Sequence, residues 1–403
     1  MPARARRARR PTTIGLALAG GGPEGAVYEI GALRALEEAF GGLDLTKLDV
    51  YVGVSAGAFV AANLVNGVTP AQMVRAMVKH QPGEHPFAPS VFFTPAYGEW
   101  ARRALTLPAL AARALRHLTT EPADQTTLEA FTRLTRILPV GLFDNEPIRR
   151  YIAQTFRRTG RTDDFRRLKR RFIVVSADLA SGKAIRFGEP PWDHVPISVA
   201  VQASTAVPGL YAPVVIDGHY CVDGVLLRTV HASIALERGA DLLLCVNPLV
   251  PADLYTPERL GLVKQGTLVR RGLPTVLAQA VRMVINSRMV VGMATYAKRF
   301  PNADVLLFQP SPSDYGMFFV NMFSFAARKR VVQLAYAATR RDLLARREEL
   351  EPALARHGIR LDLDVLRDET RTVWDGVGLG DGTATDAAGQ LNHALDRLSA
   401  LIA

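Results

Sequence analysis

The sequence predicts an α/β protein of three layers, with a mainly parallel central sheet, a helical insertion and a C-terminal appendage. Three observations predict it. Two strand–glycine turn–helix units follow one another between Ile14 and Val65. Short, almost wholly apolar strands, "ADLLLCVNP" and "ADVLLFQP", return later in the chain, as strands buried on both faces of a parallel sheet do. The 403 residues are 48% hydrophobic and 22% charged, enough for one large core and too apolar for a disordered chain.

Residues 1–11, with Arg4, Arg6, Arg7, Arg9 and Arg10, read as a solvated basic tail. The arginines, "IGLALA" and the A-x-A at Ala17 to Ala19 imitate a signal peptide. The apolar run is short, however, and leads directly into a glycine turn and an amphipathic helix, so a strand is expected over Ile14 to Ala19. "GGGPEG" (Gly20 to Gly25) is the turn. "AVYEIGALRALEEA" is the helix, with Val27, Ile30, Leu33, Leu36 and Phe40 at helical spacing and Glu29, Glu37 and Glu38 opposite. "LDVYVGV" is the second strand, ending at Ser55, and "AGAFVAANLV" the helix after it. The alternation implies parallel strands, helices on the faces and a right-handed crossover.

Residues 70–150 read as a helical, loop-rich insertion or lid, with prolines at Pro82, Pro86, Pro89, Pro95 and Pro108. "RFIVVSADLASGKAIRFG" predicts a hairpin turning at Gly182, and "YAPVVIDGHYCVDGV" a second strand-rich patch. "FSFAARKRVVQLAYAATRRDLLARREEL" is a helix. After Pro352 the chain turns polar, and Gly376 to Gly389 is flexible in composition. The organisation expected is a tail over 1–11, one domain over 12–345 and an appendage over 346–403.

Two cysteines, Cys221 and Cys245, allow no disulfide framework and no Cys/His metal spacing, which favours a reducing, cytoplasmic setting. The net charge is +11 and unevenly spread. From Arg259 to Ala303 there is no Asp or Glu, while Lys264, Arg270, Arg271, Arg282, Arg288, Lys298 and Arg299 lie within it. Such a segment suits an anionic membrane surface, here peripheral contact at the inner membrane. Nucleic acid would fit the charge too, but no nucleic-acid-binding motif accompanies it. No uninterrupted apolar run reaches membrane-spanning length.

Two glycine turns carry the chemistry. Gly20, Gly22 and Gly25 satisfy G-x-G-x-x-G, the dinucleotide fingerprint, but the next strand ends in "VGVSAG" rather than in the acidic residue that would hold a ribose, and Pro23 removes an N–H from the loop. The same turn read differently offers the N–H groups of Gly21 and Gly22 to an oxyanion. Gly53-Val54-Ser55-Ala56-Gly57 is a G-x-S-x-G elbow that would expose Ser55 at the same sheet edge. A serine needs a base. None of the eight histidines sits in a triad motif, though His219 and His231 flank the region of interest. An aspartate fits better, and "IDGHYCVDGV" offers two, Asp217-Gly218 and Asp223-Gly224; Asp-Gly is ordinarily a turn, and one of the two being functional is the sharper reading.

These pieces together resemble the patatin-like phospholipases. "LALAGGGPEGAVYEIGALRALEE" is similar to that family's oxyanion segment and helix, "GVSAGAFVAA" to its nucleophile elbow, "FIVVSADLASGKAIRFG" to its central hairpin, and "ASTAVPGLYAPVVIDGHYCVDGV" to the segment bringing the catalytic aspartate. The resemblance covers roughly Thr12 to Pro248, more loosely the strand at Val305 and the helix after Phe323. It implies a serine–aspartate dyad with Ser55 as nucleophile and Asp223 as base, and Asp217 in a structural position. It also implies oxyanion donors at Gly20, Gly21 and Gly22, supporting roles for Gly25, Gly53, Gly57 and Gly224, and no metal or cofactor. The implied reaction is hydrolysis of phospholipid or other acyl-ester lipid through an acyl-serine. Two residues depart from the family. Glu24 stands where Arg or Lys is common, and Val225 follows Asp223-Gly224 where a small residue is usual. Glu24 either caps the helix, where negative charge is favourable, or opposes an oxyanion. It motivates the alternative of a catalytically weak lipid- or partner-binding protein; a dinucleotide-dependent enzyme is the more distant alternative. Glu99 to Leu118, the acid-free stretch and "YGMFFVNMFSF" (Tyr315 to Phe325) are either segments that hold lipid or core helices of the insertion and sheet cover; the Met and Phe cluster reads as core, and the acid-free stretch is the best membrane candidate because burial of so many arginines is improbable.

Overall fold

A computed structural model describes residues 12–78, 89–105, 139–253, 255–261, 264, 266–312, 314, 317 and 325–378. The basic tail, most of the expected helix beyond residue 105, nearly all of the Tyr315 to Phe325 cluster and the chain after 378 lie outside the described residues.

Along the chain come β1 (Ile14–Leu18), α1 (Gly22–Ala39), β2 (Phe40–Gly41), β3 (Val50–Val54), α2 (Ala56–Val65) and α3 (Pro70–Val78). Then follow β4 (Thr94–Pro95), β5 (Gly141–Asp144), α4 (Glu146–Phe156), β6 (Arg171–Asp178), β7 (Ala184–Phe187) and α5 (Ile197–Ser204). Next are β8 (Gly209–Tyr211), β9 (Val214–Ile216), β10 (His219–Asp223), α6 (Ala232–Glu237), β11 (Leu242–Val246), α7 (Tyr255–Arg259) and α8 (Thr267–Arg270). The last are α9 (Leu273–Arg299), β12 (Asp304–Phe308), α10 (Phe325–Ala345), α11 (Arg347–Arg356), β13 (Arg360–Leu361) and α12 (Leu363–Arg367).

The main sheet runs β12-β11-β1-β3-β6-β10-β9, with β7 also on β6. The pairs from β12 through β6 are parallel; β7, β10 and β9 join antiparallel. Helix layers bury both faces. Leu16 and Leu18 point into one core with α1, α2, α10 and α11, whereas Ala17 and Ala19 point into the other with α6 and α9. Burial on both sides explains why β1 and β11 read as continuous apolar runs rather than alternating ones.

The geometry of β6 decides where the site forms. β7 occupies one edge, pairing Val174 to Ala177. The other edge is shared: β3 pairs it up to Val54↔Val175, and β10 takes over at Asp223↔Ser176. The C-terminal ends of β3 and β10 therefore meet head to head at adjacent residues of one strand.

Three features differ from the sequence expectations. Glu29 does not lie on an outer polar face: every residue from Gly25 to Leu36 is buried, because α10 packs along α1 and encloses it. A Cβ at Gly31 would stand 2.5 Å from the Val332 carbonyl, so only glycine allows that approach. The insertion contains strands as well as helix, β5 joining β4 and β8 in a small second sheet. Residues 347–378, polar in composition, are packed into the main core through Leu350, Leu354, Ile359 and Leu366, and β13 pairs with β2. Buried Arg340 ties this segment down by donating to the carbonyls of Leu366, Asp368 and Arg371.

Candidate active site

The register Leu18↔Gly53 sets the turns after β1 and β3 side by side. The Gly57 N–H donates to the Ala19 carbonyl at 3.0 Å. A Cβ on Gly57 would lie 2.5 Å from that oxygen, and one on Gly53 2.5 Å from Ala58 Cα, so the elbow closes only around glycines. Ser55 sits at its apex with φ 54 and ψ −122, a conformation a non-glycine residue holds only when its surroundings impose it. They do. The Ser55 N–H donates to Ser204 Oγ at 2.8 Å, and Ser204 Oγ in turn donates to the Val175 carbonyl at 2.6 Å.

The glycine turn lies against this apex. A Cβ at Gly20 would stand 3.1 Å from Ser55 Cβ and 3.3 Å from Val225 Cγ2. No hydrogen bond to any described residue occupies the N–H groups of Gly20 and Gly21. They precede the first turn of α1, where amide donors lack helical partners. Gly25 is pressed on Pro248, with 3.0 Å from a hypothetical Cβ to Pro248 Cγ.

Asp223 ends β10 and is fully buried. Its Oδ1 accepts from the Val225 N–H at 2.9 Å. Burial pushes its carboxyl up to about 7, against the opposing pull of the Ser55 hydroxyl and the Val225 amide. Its Oδ2 is buried with no partner of normal geometry. Gly224 is required next to it, because a Cβ there would lie 2.4 Å from the Val175 carbonyl.

The competing residues lie elsewhere. Asp217 forms the β9–β10 turn with φ 48, exposed and bonded to His194 at 3.0 Å. His219 pairs with Asp178 at 3.2 Å. His231 is buried, which lowers its imidazole to about 4, and its Nε2 meets the Gly224 carbonyl at 3.2 Å. That contact braces the turn after Asp223 and leaves the ring unbonded to Ser55.

Glu24 lies in the first turn of α1, where negative charge is favourable, makes no capping hydrogen bond, and accepts from Arg282 of α9 at 3.2 Å. Burial raises its carboxyl while Arg282 draws it back down. Farther along α1, Glu29 is wholly buried with neither carboxylate oxygen in a hydrogen bond of normal geometry, and burial raises its carboxyl well above the usual carboxylate range against the opposing pull of the Ala19 amide. Ser204 and Arg282 were hidden from sequence reading because each meets its partner across a long sequence gap. A cavity of about 160 Å³ lies away from Ser55, between Phe59, Asn63, Met73 and Tyr151.

The family model described as Patatin-like phospholipase matches residues 16–236. That span is more than half of the chain. The chain belongs to the patatin-like phospholipase family. Its fold is accordingly the patatin-like one, mainly parallel at the centre with helices on both faces. Solved structures with a similar course include VipD from Legionella pneumophila, 15% identical over 83% of this chain and 67% of that one, TM-score 0.39. The type III effector ExoU is 14% identical over 84% of this chain and 53% of its own, TM-score 0.36. Human GIVD cytosolic phospholipase A2, in complex with methyl gamma-linolenyl fluorophosphonate, is 13% identical over 86% of this chain and 59% of its own, TM-score 0.33. This patatin-like chain thus matches between half and two thirds of those proteins' lengths. Among the described residues of this family member, no helix is long and apolar enough to cross a membrane.

Proposed function

We propose that the protein is a lipid acyl hydrolase of the phospholipase A, lysophospholipase or carboxylesterase type, working through a Ser55–Asp223 dyad. The observation that carries this reading is the meeting of β3 and β10 on one edge of β6, which sets a strained serine beside a buried carboxylate. Ser55 Oγ attacks the ester carbonyl carbon while its proton passes to the Asp223 carboxylate. The carbonyl oxygen becomes an oxyanion, received by the amides of Gly20, Gly21 and Gly22. One such donor is worth about 3–4 kcal/mol to a transition state. Collapse breaks the ester C–O bond, and Asp223 returns the proton to the departing alcohol. Water, deprotonated by the same carboxylate, then attacks the acyl-serine; the fatty acid leaves and Oγ regains its proton. A carboxyl near 7 suits both roles, since it takes and returns a proton near neutral pH.

Phospholipid or another acyl-ester lipid is the substrate class in this reading, met by peripheral contact with a membrane surface in the cytoplasm through the acid-free basic stretch. The Glu24–Arg282 pair counts against a catalytically weak binder, because the acidic charge beside the glycine turn has a cationic partner. Labelling with a fluorophosphonate tests the assignment. Wild type should be labelled and Ser55→Ala should not. Equal labelling of the two proteins, both folded, rules out Ser55 as the nucleophile.

A further inference from the structure

The sequence located positive charge between Arg259 and Ala303; in the structure the more telling property of that stretch is apolar. α9 is a helix of 27 residues, about 40 Å long at 1.5 Å per residue. One side of it is fastened to the body. Ile285, Met289 and Tyr296 are buried, Gln279 exchanges hydrogen bonds with the backbone of Ala252, and the Thr229 hydroxyl donates to the Ile285 carbonyl. The outer side should then be polar. It is not. Leu277, Val281, Val284, Val290 and Val291 are each 50–67% exposed.

Charge on that face is sparse. Of the two arginines within these turns, Arg282 is drawn to Glu24, and Arg288, exposed beside Val281, has its guanidinium tied to the Leu226 carbonyl. Cations instead bracket the helix, with Arg270 and Arg271 before it and Lys298 and Arg299 at its end, and no acidic residue falls between. An apolar face with basic ends matches the layering of an anionic bilayer surface, where side chains enter the acyl boundary and cations remain among the headgroups. A face this extended is more than the scattered apolar exposure of ordinary surfaces.

We propose that the outer face of α9 is an interfacial helix that lies in the plane of an anionic bilayer and seats the protein there by apolar insertion. The inner-face bonds hold it parallel to the surface rather than across it. The placement also concerns the active site. α9 touches α1 at Glu24, two residues after Gly22, and the segment following Asp223 at Leu226 and Thr229. A bilayer on α9 therefore borders both halves of the catalytic turn pair. Only this last consequence rests on the lipid-hydrolase reading; the docking itself does not.

The test uses the full chain. Cys221 and Cys245 are buried, so an environment-sensitive nitrobenzoxadiazole label goes to an introduced cysteine. Val284→Cys reports on the outer face of α9, and Glu351→Cys on exposed α11, which packs on the opposite face of the sheet. With vesicles of phosphatidylcholine containing about 30% phosphatidylglycerol, emission should rise and shift to the blue at position 284 and stay unchanged at 351. The triple variant Val281→Asp, Val284→Asp, Val291→Asp should lower the vesicle-bound fraction roughly tenfold, with melting temperature and hydrolysis of a short soluble ester unchanged. An unchanged label at 284 on bound vesicles overturns the proposal. So does a triple variant that binds vesicles normally but converts a dimer to a monomer, which would assign the face to a second copy. Insertion without any esterase activity leaves this inference standing and removes the hydrolase reading; activity without insertion does the reverse.

Discussion

In the proposed dyad, protonation at Asp223 competes with catalysis. Its carboxyl would have to be ionised to accept the serine proton, yet burial pushes it up to about 7. On a soluble ester, kcat/KM should therefore fall about tenfold per pH unit below about 7, and Asp223→Asn should be flat at a residual rate. A limb centred near 4 would mean that the base is a solvated group elsewhere. Stability has the opposite dependence. The folded value lies above the ordinary 3.8, so the native state keeps a proton that the unfolded chain releases. Its contribution is complete below about 3.8 and is lost as pH rises through about 7. The full shift corresponds to on the order of 4 kcal/mol. Asp223→Asn should consequently melt higher than wild type at pH 8, with the gap closing towards pH 5. The two glycine turns were legible in the sequence because their backbones demand glycine, while Asp223 was singled out over Asp217 only by the resemblance to the family. Ser204 was not legible, because its bond to the Ser55 amide spans 149 positions and leaves no local trace.

At the scale of elements, the Glu24–Arg282 pair joins α1 to α9. Both side chains are partly exposed, 27% and 17%, so the pair is worth only about 0.5–1 kcal/mol after solvent screening. Glu24→Arg should lower the melting temperature slightly by setting two guanidinium groups together, with turnover nearly unchanged. Exchanging the pair, Glu24→Arg with Arg282→Glu, should recover most of the loss. A several-fold rise in turnover in Glu24→Arg would instead show that the carboxylate acts on the oxyanion. The elements themselves were largely readable: the β6–β7 hairpin, β1, β3, β11 and β12 carry apolar runs bounded by turn residues. β4 and β5 were not, since strands of two and four residues in a proline-rich region show no periodicity to read.

For the whole molecule, composition misled at the C-terminal end. Residues 347–378 are polar on average, but a few apolar side chains fill the space beside α1 and α10, and Glu38 receives Arg371 at 2.9 Å. Removing everything after Arg346 would uncover that core. The truncated protein should lose soluble yield and bind a hydrophobic dye such as anilinonaphthalene sulfonate; a truncated chain that melts like wild type would show the segment to be dispensable. What was legible at this scale was the layer architecture, because two-sided burial writes itself into strand composition. Which faces stay uncovered could not be read, since an apolar residue looks the same whether protein or lipid meets it.

The shared edge of β6 makes that strand a ruler for the proposed dyad. Ser55 and Asp223 stand at the ends of strands running in opposite directions, 168 positions apart in sequence. Their separation is set by the step from Val175 to Ser176 and by the end of α5, where Ser204 Oγ accepts from the Ser55 N–H and the Ala206 carbonyl from the Asp223 N–H. One residue inserted there would move the two ends about 3.3 Å apart and turn one side chain to the far face. Loops in this protein can change length freely by comparison. The segment in which length itself is under chemical constraint is an interior strand that contributes no reacting atom.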